Sequence, residues 1–439
     1  MDLIPVRLPA DSMEKRALLV IILAYGLVVG GLVTLRGELL ALAVPVVLYL
    51  LAGFLRAPGN IQLEIQRVLS SERTVPYVPV QVKLTVTNKG PDLGEVFLED
   101  TIPPELHIRH GSTRHLVKLP SGKTFSWTYE ISGPRGYYAF SNVEAEASDL
   151  FGIIHRKSSF PIRGQLFILP PALRLRQVAI RPRRTNVYSG TIPARIGGPG
   201  VEFFGVREYE RGDPPAWINW RVSARQPQKL FSNEFEQERV ADVGIVLDGR
   251  KRTNTLREGH SLFEYSVQAA GALADTFLAQ GNRVGVLLYG HYLHWTLPGY
   301  GKIQRERIMQ RLAQAEPGES LVFDDLGHIP TQLFPAHSQL VLVSPLVPED
   351  FDVLLQLRAH GYQIIVISPD PVAFEMAYLP HRPEMVIAGR IVRMEREMLL
   401  KRLRHAGVQV LDWDVSKPFD QIAPAALGRP LAWYRAIGR

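Results

Sequence analysis

The sequence predicts a multidomain protein built from a two-helix membrane hairpin, an all-β region and an α/β doubly wound domain. Three observations support this prediction. Two uncharged runs lie near the N-terminus, short alternating runs separated by glycine and proline follow, and buried strands then alternate with amphipathic helices. A chain of 439 residues, 46% of them hydrophobic, is long enough to give more than one part its own core.

The hairpin is predicted from residues 17–35 and 39–55, which contain no charged side chain. Each run is long enough to cross a bilayer as a helix, and Pro45 is tolerated inside such helices. A cleaved signal peptide is the alternative for the first run, but the second run follows without a small-residue cleavage site. We therefore predict a transmembrane hairpin after an N-terminal segment, 1–16.

The charges around the hairpin predict its orientation. Lys15 and Arg16 precede it and Arg56 follows it, whereas the turn holds Arg36 and Glu38. By the positive-inside rule both outer ends face the cytoplasm. We expect a multi-pass protein of the inner (cytoplasmic) membrane with its N-terminus and soluble domains in the cytoplasm. An envelope-facing binding protein of the opposite topology is an alternative.

Residues 61–170 predict an all-β, immunoglobulin-like sandwich. Residues 81–87 alternate between apolar and polar side chains, and an Asn-Lys-Gly-Pro turn ends that run. Regular short strands between turns are typical of this fold. Further runs of this kind lie at 95–100, 124–131, 143–147 and 166–169.

A basic run opens the linker region, which we place at 171–240. Its members are Arg174, Arg176, Arg181, Arg183 and Arg184. They suit a solvated linker that pairs with nearby glutamates, or contact with anionic lipid headgroups. Nucleic-acid binding is not expected, because no recognition motif accompanies the arginines and no aromatic residue is interleaved before Tyr188.

Residues 241–439 predict the α/β doubly wound domain, because strand and helix patterns alternate along them. The predicted strands are 243–247, 284–289, 339–344, 362–368 and 408–411. The predicted helices are 261–280, 302–313, 350–359 and 388–405.

The end of the linker carries a dense mixture of charges, tryptophans and turn signals. Asp213, with a proline after it, predicts the N-cap of a short helix. Residues 229–239 then predict a strand, which places Glu234, Glu236 and Glu238 on one face because strand side chains alternate.

An ordered set of residues in this stretch forms what we call the signature motif. Its members are Gly198, Gly200, Glu202, Phe203, Arg207, Tyr209, Gly212, Asp213, Trp220, Ser223, Ala224, Arg225, Phe235, Glu236 and Glu238. The motif resembles that of the bacterial and archaeal "domain of unknown function 58" family, with Ala216 in place of the usual basic residue. The resemblance implies a membrane anchor, a β-sandwich and a von Willebrand factor A-like α/β domain. It also implies a partner, a MoxR-type AAA+ ATPase that remodels or activates such domains.

The resemblance further implies a metal position at the end of the first α/β strand. Von Willebrand factor A domains begin a metal site there with D-x-S-x-S, and hard divalent cations need several oxygen ligands. In this sequence Asp248 is followed by Arg250 and Arg252 instead of two serines, and Ser344 is followed by Pro345 instead of an aspartate. We predict a degenerate site that holds no metal.

Other catalytic patterns are missing from the sequence. The chain has no cysteine, which excludes disulfides, thiolate zinc sites and a cysteine nucleophile. It has neither a G-x-x-x-x-G-K-[ST] phosphate cradle nor a G-x-S-x-G elbow, and its histidines form no zinc pattern. No cofactor and no catalytic residue are predicted.

The three motif glutamates are the enzyme-like feature, because closely spaced carboxylates can perform acid–base chemistry. The nearby arginines favour ion pairing instead; they are Arg207, Arg211, Arg221, Arg225 and Arg239. We therefore expect a membrane-anchored interaction or scaffold protein that is not an enzyme, a client or partner of the ATPase in assembly or regulation. A hydrolase that uses the motif glutamates is the alternative.

Overall fold

The computed structural model describes residues 12–13, 15–55, 59–148, 154–173, 175, 192–226, 228–239, 241–290, 293–320, 322–335, 338–380 and 382–427. The chain divides into two compact units, Met1–Leu169 and Pro170–Arg439.

The first unit contains two helices near its N-terminal end, α1 (Lys15–Thr34) and α2 (Gly37–Leu55). Across the described residues, no helix combines the length and the apolar character that crossing a membrane requires. Lys15 and Arg16 occupy the first turn of α1, and Glu38 lies in the first turn of α2. The predicted transmembrane hairpin is wrong, and so is the multi-pass inner-membrane location inferred from it.

The described part of the first unit contains ten strands, numbered in chain order. They are β1 (Ser12–Met13), β2 (Leu63–Leu69), β3 (Arg73–Thr74), β4 (Val80–Asn88), β5 (Leu93–Asp100), β6 (His107–His110), β7 (Arg114–Leu119), β8 (Thr124–Ser132), β9 (Gly136–Ser148) and β10 (Ile154–Ile168). One sheet has the order β1-β10-β9-β5-β7, with β3 paired to β10, and the other has the order β2-β4-β8-β6.

Residues from both sheets form one hydrophobic core. In β4 the buried side chains alternate with others, so that Val82, Leu84 and Val86 are fully buried and Lys83 between them is exposed. Leu98 of β5 and Val143 of β9 join the same core from the other sheet. The alternation read from residues 81–87 thus produces a two-layered β structure.

The second unit contains the remaining elements in its described part. Its strands are β11 (Ile192–Glu208), β12 (Phe231–Arg239), β13 (Asp242–Asp248), β14 (Leu256–Arg257), β15 (His260–Ser261), β16 (Arg283–Tyr289), β17 (His294–Gly299), β18 (Gln339–Val343), β19 (Gln363–Pro369) and β20 (Gln409–Trp413). Its helices are α3 (Trp220–Ser223), α4 (Leu262–Ala279), α5 (Gly301–Ala313), α6 (Asp350–Ala359), α7 (Pro371–Met376), α8 (Pro383–His405) and α9 (Phe419–Leu427).

Six strands form the central sheet in the order β17-β16-β13-β18-β19-β20. All neighbours pair in parallel except the edge strand β17, which is antiparallel to β16. Every residue of β13 is buried, as expected for a strand covered on both faces. The chain runs from β13 to β16 on one side and later to β18 on the other. The carboxyl ends of β13 and β18 therefore border the switch point, where open α/β sheets bind ligands.

Candidate functional site

Asp248, the last residue of β13, lies at the switch point of the sheet. The chain then turns sharply, and the backbone N–H of Gly249 donates to the carbonyl of Tyr289 at 2.6 Å. Gly290 lies so close that a Cβ on it would come within 2.5 Å of the Gly249 backbone. A larger residue at that position would push the turn apart. The turn directs Arg250 back toward the strand ends.

Arg250 donates hydrogen bonds to Asp248 from both its backbone and its side chain. Its backbone N–H and its Nε both donate to Asp248 Oδ1, at 3.0 and 2.9 Å, and its Nη2 donates to Oδ2 at 2.8 Å. Arg250 is 1% exposed and Asp248 is fully buried, so both charges are removed from water. Buried charges of this kind are stable only when they are paired.

Asp350, the first residue of α6, holds the other side of the same guanidinium. Arg250 Nη1 donates to Asp350 Oδ1 at 3.0 Å, and Nη2 donates to Oδ2 at 2.9 Å. Nη1 also donates to the carbonyl of Asp324 at 3.2 Å. With the bonds to Asp248, all five N–H donors of the guanidinium have acceptors.

Hydroxyl and amide groups complete the cluster around Asp248. Ser344, directly after β18, donates its Oγ–H to Asp248 Oδ2 at 2.6 Å. Thr253 Oγ1 lies 3.1 Å from the same oxygen, and Asn254 Nδ2 donates to the Asp248 carbonyl at 2.9 Å. We call Asp248, Arg250, Thr253, Ser344 and Asp350 the switch-point cluster.

The cluster keeps Arg250 charged. Burial by itself lowers the pKa of this guanidinium, but the hydrogen bonds and charges of Asp248 and Asp350 outweigh burial and raise the pKa above its ordinary value. A permanent positive charge therefore lies between two carboxylates.

The donor set does not fit a divalent cation. The Asp248 and Asp350 oxygens that would bind the ion already accept hydrogen bonds from Arg250, whose own charge repels a second cation. Over the described ranges, no three histidine, aspartate or glutamate side chains are grouped so that they could hold a metal ion. That the protein binds no metal remains a prediction.

The other two residues of the predicted degenerate site lie outside this cluster. Arg252 points away and pairs with Asp324, with 3.3 Å between Nε and Oδ1, and its side chain is 37% exposed. The Pro345 carbonyl accepts a hydrogen bond of 2.7 Å from Arg396 Nη1. Of the four residues predicted for the site, the structure brings only Asp248 and Arg250 into direct contact.

Arg396 of α8 is a second buried guanidinium at this edge of the sheet, 8% exposed. Its Nη2 donates to Asp412 Oδ1 of β20 at 2.7 Å and to Ser368 Oγ of β19 at 3.0 Å. Together with the bond to Pro345, these contacts join the ends of three strands. The buried side chains of Arg250 and Arg396 therefore both lie at the carboxyl edge of the sheet, where α/β proteins bind ligands.

The signature motif is centred on Arg207, near the end of β11. Its Nη2 lies 2.6 Å from Asp213 Oδ1, its Nη1 3.7 Å from Glu210 Oε2 and its Nε 3.8 Å from Glu234 Oε1. Asp213 Oδ2 also accepts the backbone N–H of Glu210 at 3.1 Å. The hydrogen bond from that N–H, followed by the bond and charge of Arg207, lowers the pKa of Asp213.

Asp213 is therefore not the N-cap that the sequence predicts. Arg207 holds its carboxylate, and Asn219 caps α3 by accepting the N–H of Val222 at 3.0 Å. Ser223 of the motif is buried and accepts the N–H of Phe231 at 2.9 Å, which fixes α3 to the start of β12. Trp220, in contrast, is 66% exposed.

Other motif residues are described only in part. Tyr209 OH donates to the Asp213 carbonyl at 3.3 Å, Gly212 has a φ of 114°, and Phe203 is 62% exposed. Gly198 and Gly200 lie within β11. The side chains of Glu202, Phe235, Glu236 and Glu238 lie outside the described part of the chain. The predicted basic run also lies outside it, at Arg174, Arg176, Arg181, Arg183 and Arg184.

Sequence reasoning missed Asp350, Thr253 and Asn254. Thr253 and Asn254 follow Arg250 within one turn, so a polar Thr-Asn pair after the strand was a usable signal. Asp350 lies 100 positions from Arg250, and only its place at the start of a predicted helix after β18 pointed to it.

Residues 205–379 match the family model described as "Protein of unknown function DUF58". The matched region contains the latter part of the signature motif and the switch-point cluster, and it supports the family resemblance.

The relatives are proteins described as uncharacterized. YeaD of Bacillus subtilis (strain 168) is 26% identical over 214 residues, which cover 48% of this chain and 51% of that protein. Rv1480 of Mycobacterium tuberculosis (strain ATCC 25618 / H37Rv) is 28% identical over 156 residues, which cover 34% of this chain and 47% of that protein. The chain thus spans about half the length of the curated relatives it matches.

Similarity to solved structures is low. A FixG-related protein from Vibrio parahaemolyticus aligns with a TM-score of 0.17 and 10% identity, over 24% of this chain and 95% of that one. A likeness at this level carries no argument about fold or function.

Proposed function

We propose that this protein is a non-catalytic interaction or scaffold protein. Its α/β domain is of the von Willebrand factor A-like type, and its partner is a MoxR-type AAA+ ATPase. The observation that carries the proposal is the buried guanidinium of Arg250, which occupies the switch point between Asp248 and Asp350 with every donor engaged.

The filled switch point favours a binding role over catalysis. In an open α/β sheet, a ligand or a metal-bound substrate would bind beside the carboxyl ends of β13 and β18. Here an internal cation uses the carboxylates of that crevice, and the buried hydroxyl of Ser344 donates to one of them. We therefore expect a partner to bind the outer surface of the α/β domain and not the crevice at the carboxyl ends of β13 and β18.

The partner-binding surface we propose is the exposed end of the signature motif. Trp220 is 66% exposed and Leu230 is 45% exposed, and a bond of 2.8 Å from Asn219 N–H to the Phe231 carbonyl brings α3 and the start of β12 together. Tryptophan and arginine are among the residue types that most often dominate binding energy at interfaces. We call Trp220, Arg221, Arg225 and Leu230, all exposed, the Trp220 surface.

The test is binding of the purified full chain to the MoxR-type ATPase of the same genome, measured by biolayer interferometry. Trp220→Ala should weaken binding about thirtyfold, which corresponds to about 2 kcal/mol for a hot-spot residue. Tyr300→Ala is the matched control, because Tyr300 is an aromatic residue 75% exposed outside that surface. Failure of the wild-type chain to bind, or equal losses in both variants, would refute the proposal.

A further inference from the structure

Helix α8 carries an apolar stripe that faces solvent. Ile387, Ile391, Met394 and Met398 are 58%, 54%, 65% and 58% exposed. A helix on the surface of a globular domain normally turns such residues toward the core. Contiguous exposed apolar side chains mark interaction sites.

The stripe lies on the side of α8 that does not pack on the domain. The buried residues of this helix are Arg396, Leu399, Leu400 and Leu403. Met394 and Met398 lie two positions on either side of Arg396, which places each about 160° around the helix from it. A partner can therefore cover the stripe without disturbing the packed face.

The spacing of the stripe is that of a coiled-coil seam. Its four members follow one another at intervals of four, three and four residues, which are the alternating d and a positions of a heptad. Glu384 lies at the next seam position before the stripe, and Lys401 lies at the next one after it.

We propose that this stripe binds the same stripe of a second copy of the chain, with the two α8 helices antiparallel. About a two-fold axis between Val392 and Arg393, Ile391 of one copy lies opposite Met394 of the other. Ile387 lies opposite Met398 in the same way. The arrangement is isologous, as most homodimer contacts are.

Charge complementarity selects the second copy as the occupant and antiparallel as its direction. The same axis places Glu384 opposite Lys401 at each end of the seam and brings Arg390 beside Glu397 of the second copy along its flank. Within one helix, Lys401 and Glu397 are 3.7 Å apart and more than half exposed, so both can reach a partner. In a parallel pair, Glu384 would meet Glu384 and Lys401 would meet Lys401, which like-charge repulsion disfavours.

The contact is short. Four apolar side chains from each copy make a seam smaller than a stable dimer interface, so the association is reversible and depends on protein concentration in the micromolar range.

Disulfide trapping in the full chain tests the arrangement, because the sequence has no cysteine of its own. An equimolar mixture of the Ile387→Cys and Met398→Cys chains should form a covalent dimer under mild oxidation. Each variant alone should not, since eleven residues, or about 16 Å of helix, separate residue 387 of one copy from residue 387 of the other. No dimer in the mixture, or efficient self-cross-linking of each single variant, would overturn the proposal.

Charge variants provide a second readout by sedimentation velocity. Glu397→Arg should raise the dimer dissociation constant about tenfold by placing two arginines together, and Arg390→Glu/Glu397→Arg should restore it. Arg393→Glu is the matched control for a charge change on the same helix, since position 393 lies off the seam. Equal weakening by Arg393→Glu, or no restoration in the double variant, would contradict the antiparallel seam.

Discussion

Arg250 and Asp350 are joined by two parallel hydrogen bonds, of 3.0 and 2.9 Å, although 100 positions separate them in the sequence. The pair connects the turn after β13 to the first residue of α6. Because Asp248 holds the same guanidinium from the other side, three fully buried charged groups form one unit across the switch point.

The first prediction concerns the stability that this unit supplies. Arg250→Ala leaves Asp248 and Asp350 buried without their cation, and breaking a buried pair in this way typically costs 3–5 kcal/mol. We expect a loss of roughly that size in urea unfolding of the full chain. Arg252→Ala is the matched control, because Arg252 and Asp324 form a pair whose side chains are 37% and 55% exposed, and such a pair should contribute only about 0–1 kcal/mol. Equal losses in the two variants would show that the cluster is not the stabilising unit described.

The second prediction concerns pH. The pKa of Asp213 is lowered in the folded chain by the Glu210 N–H and by Arg207. Its contribution to stability is therefore present above the ordinary value of 3.8 and is lost as the pH falls through the lowered folded value. Asp213→Asn should increase hydrogen exchange at the Glu210 amide at pH 6, and the difference from wild type should narrow as the pH falls below 3.8 and through the lowered folded pKa of Asp213. A difference that widens as the pH falls would contradict this linkage.

The third prediction separates a structural motif from a catalytic one. Arg207→Ala removes the contacts with Asp213, Glu210 and Glu234, so hydrogen exchange should increase along β11 and β12. Glu234→Gln keeps the shape of the side chain and removes a contact of only 3.8 Å, so its effect should be small. The measurement pairs hydrogen exchange with cellular complementation for each variant. If Glu234→Gln leaves exchange and partner binding unchanged yet loses all function, the motif is an active site and the scaffold proposal is wrong.

The α/β elements could be predicted closely from hydrophobic pattern. The predicted helix at 350–359 coincides with α6, and the predicted strand at 243–247 falls within β13. Such elements can be predicted because the spacing of apolar residues along a helix or a strand is a local property of the sequence. The edge strand β17 was missed because Pro298 and Gly299 disfavour a strand reading, although an edge tolerates both.

Two residues of the switch-point cluster, Asp248 and Arg250, were singled out from the sequence, but the other members of the cluster and its geometry were not. The sequence reveals arginines where serine ligands are expected, and this reading identified Asp248 and Arg250. It placed one carboxylate before two guanidinium groups, whereas the structure has two carboxylates around one, because Arg252 turns outward and Asp350 arrives through tertiary contact. The Asp213 cap failed for the same reason, since an arginine six positions earlier competes for its carboxylate. Local sequence propensities do not capture this competition between side chains and helix ends for one carboxylate.

We propose that the Arg250 guanidinium, between Asp248 and Asp350, takes the place of a divalent cation. Calorimetric titration of the full chain with magnesium, and separately with calcium, tests it most directly. We expect no saturable binding at millimolar concentration in the wild type. Arg250→Ser, which frees both carboxylates and adds a hydroxyl, should bind magnesium if the variant stays folded. Saturable binding to the wild-type chain that Asp248→Asn abolishes would contradict the claim.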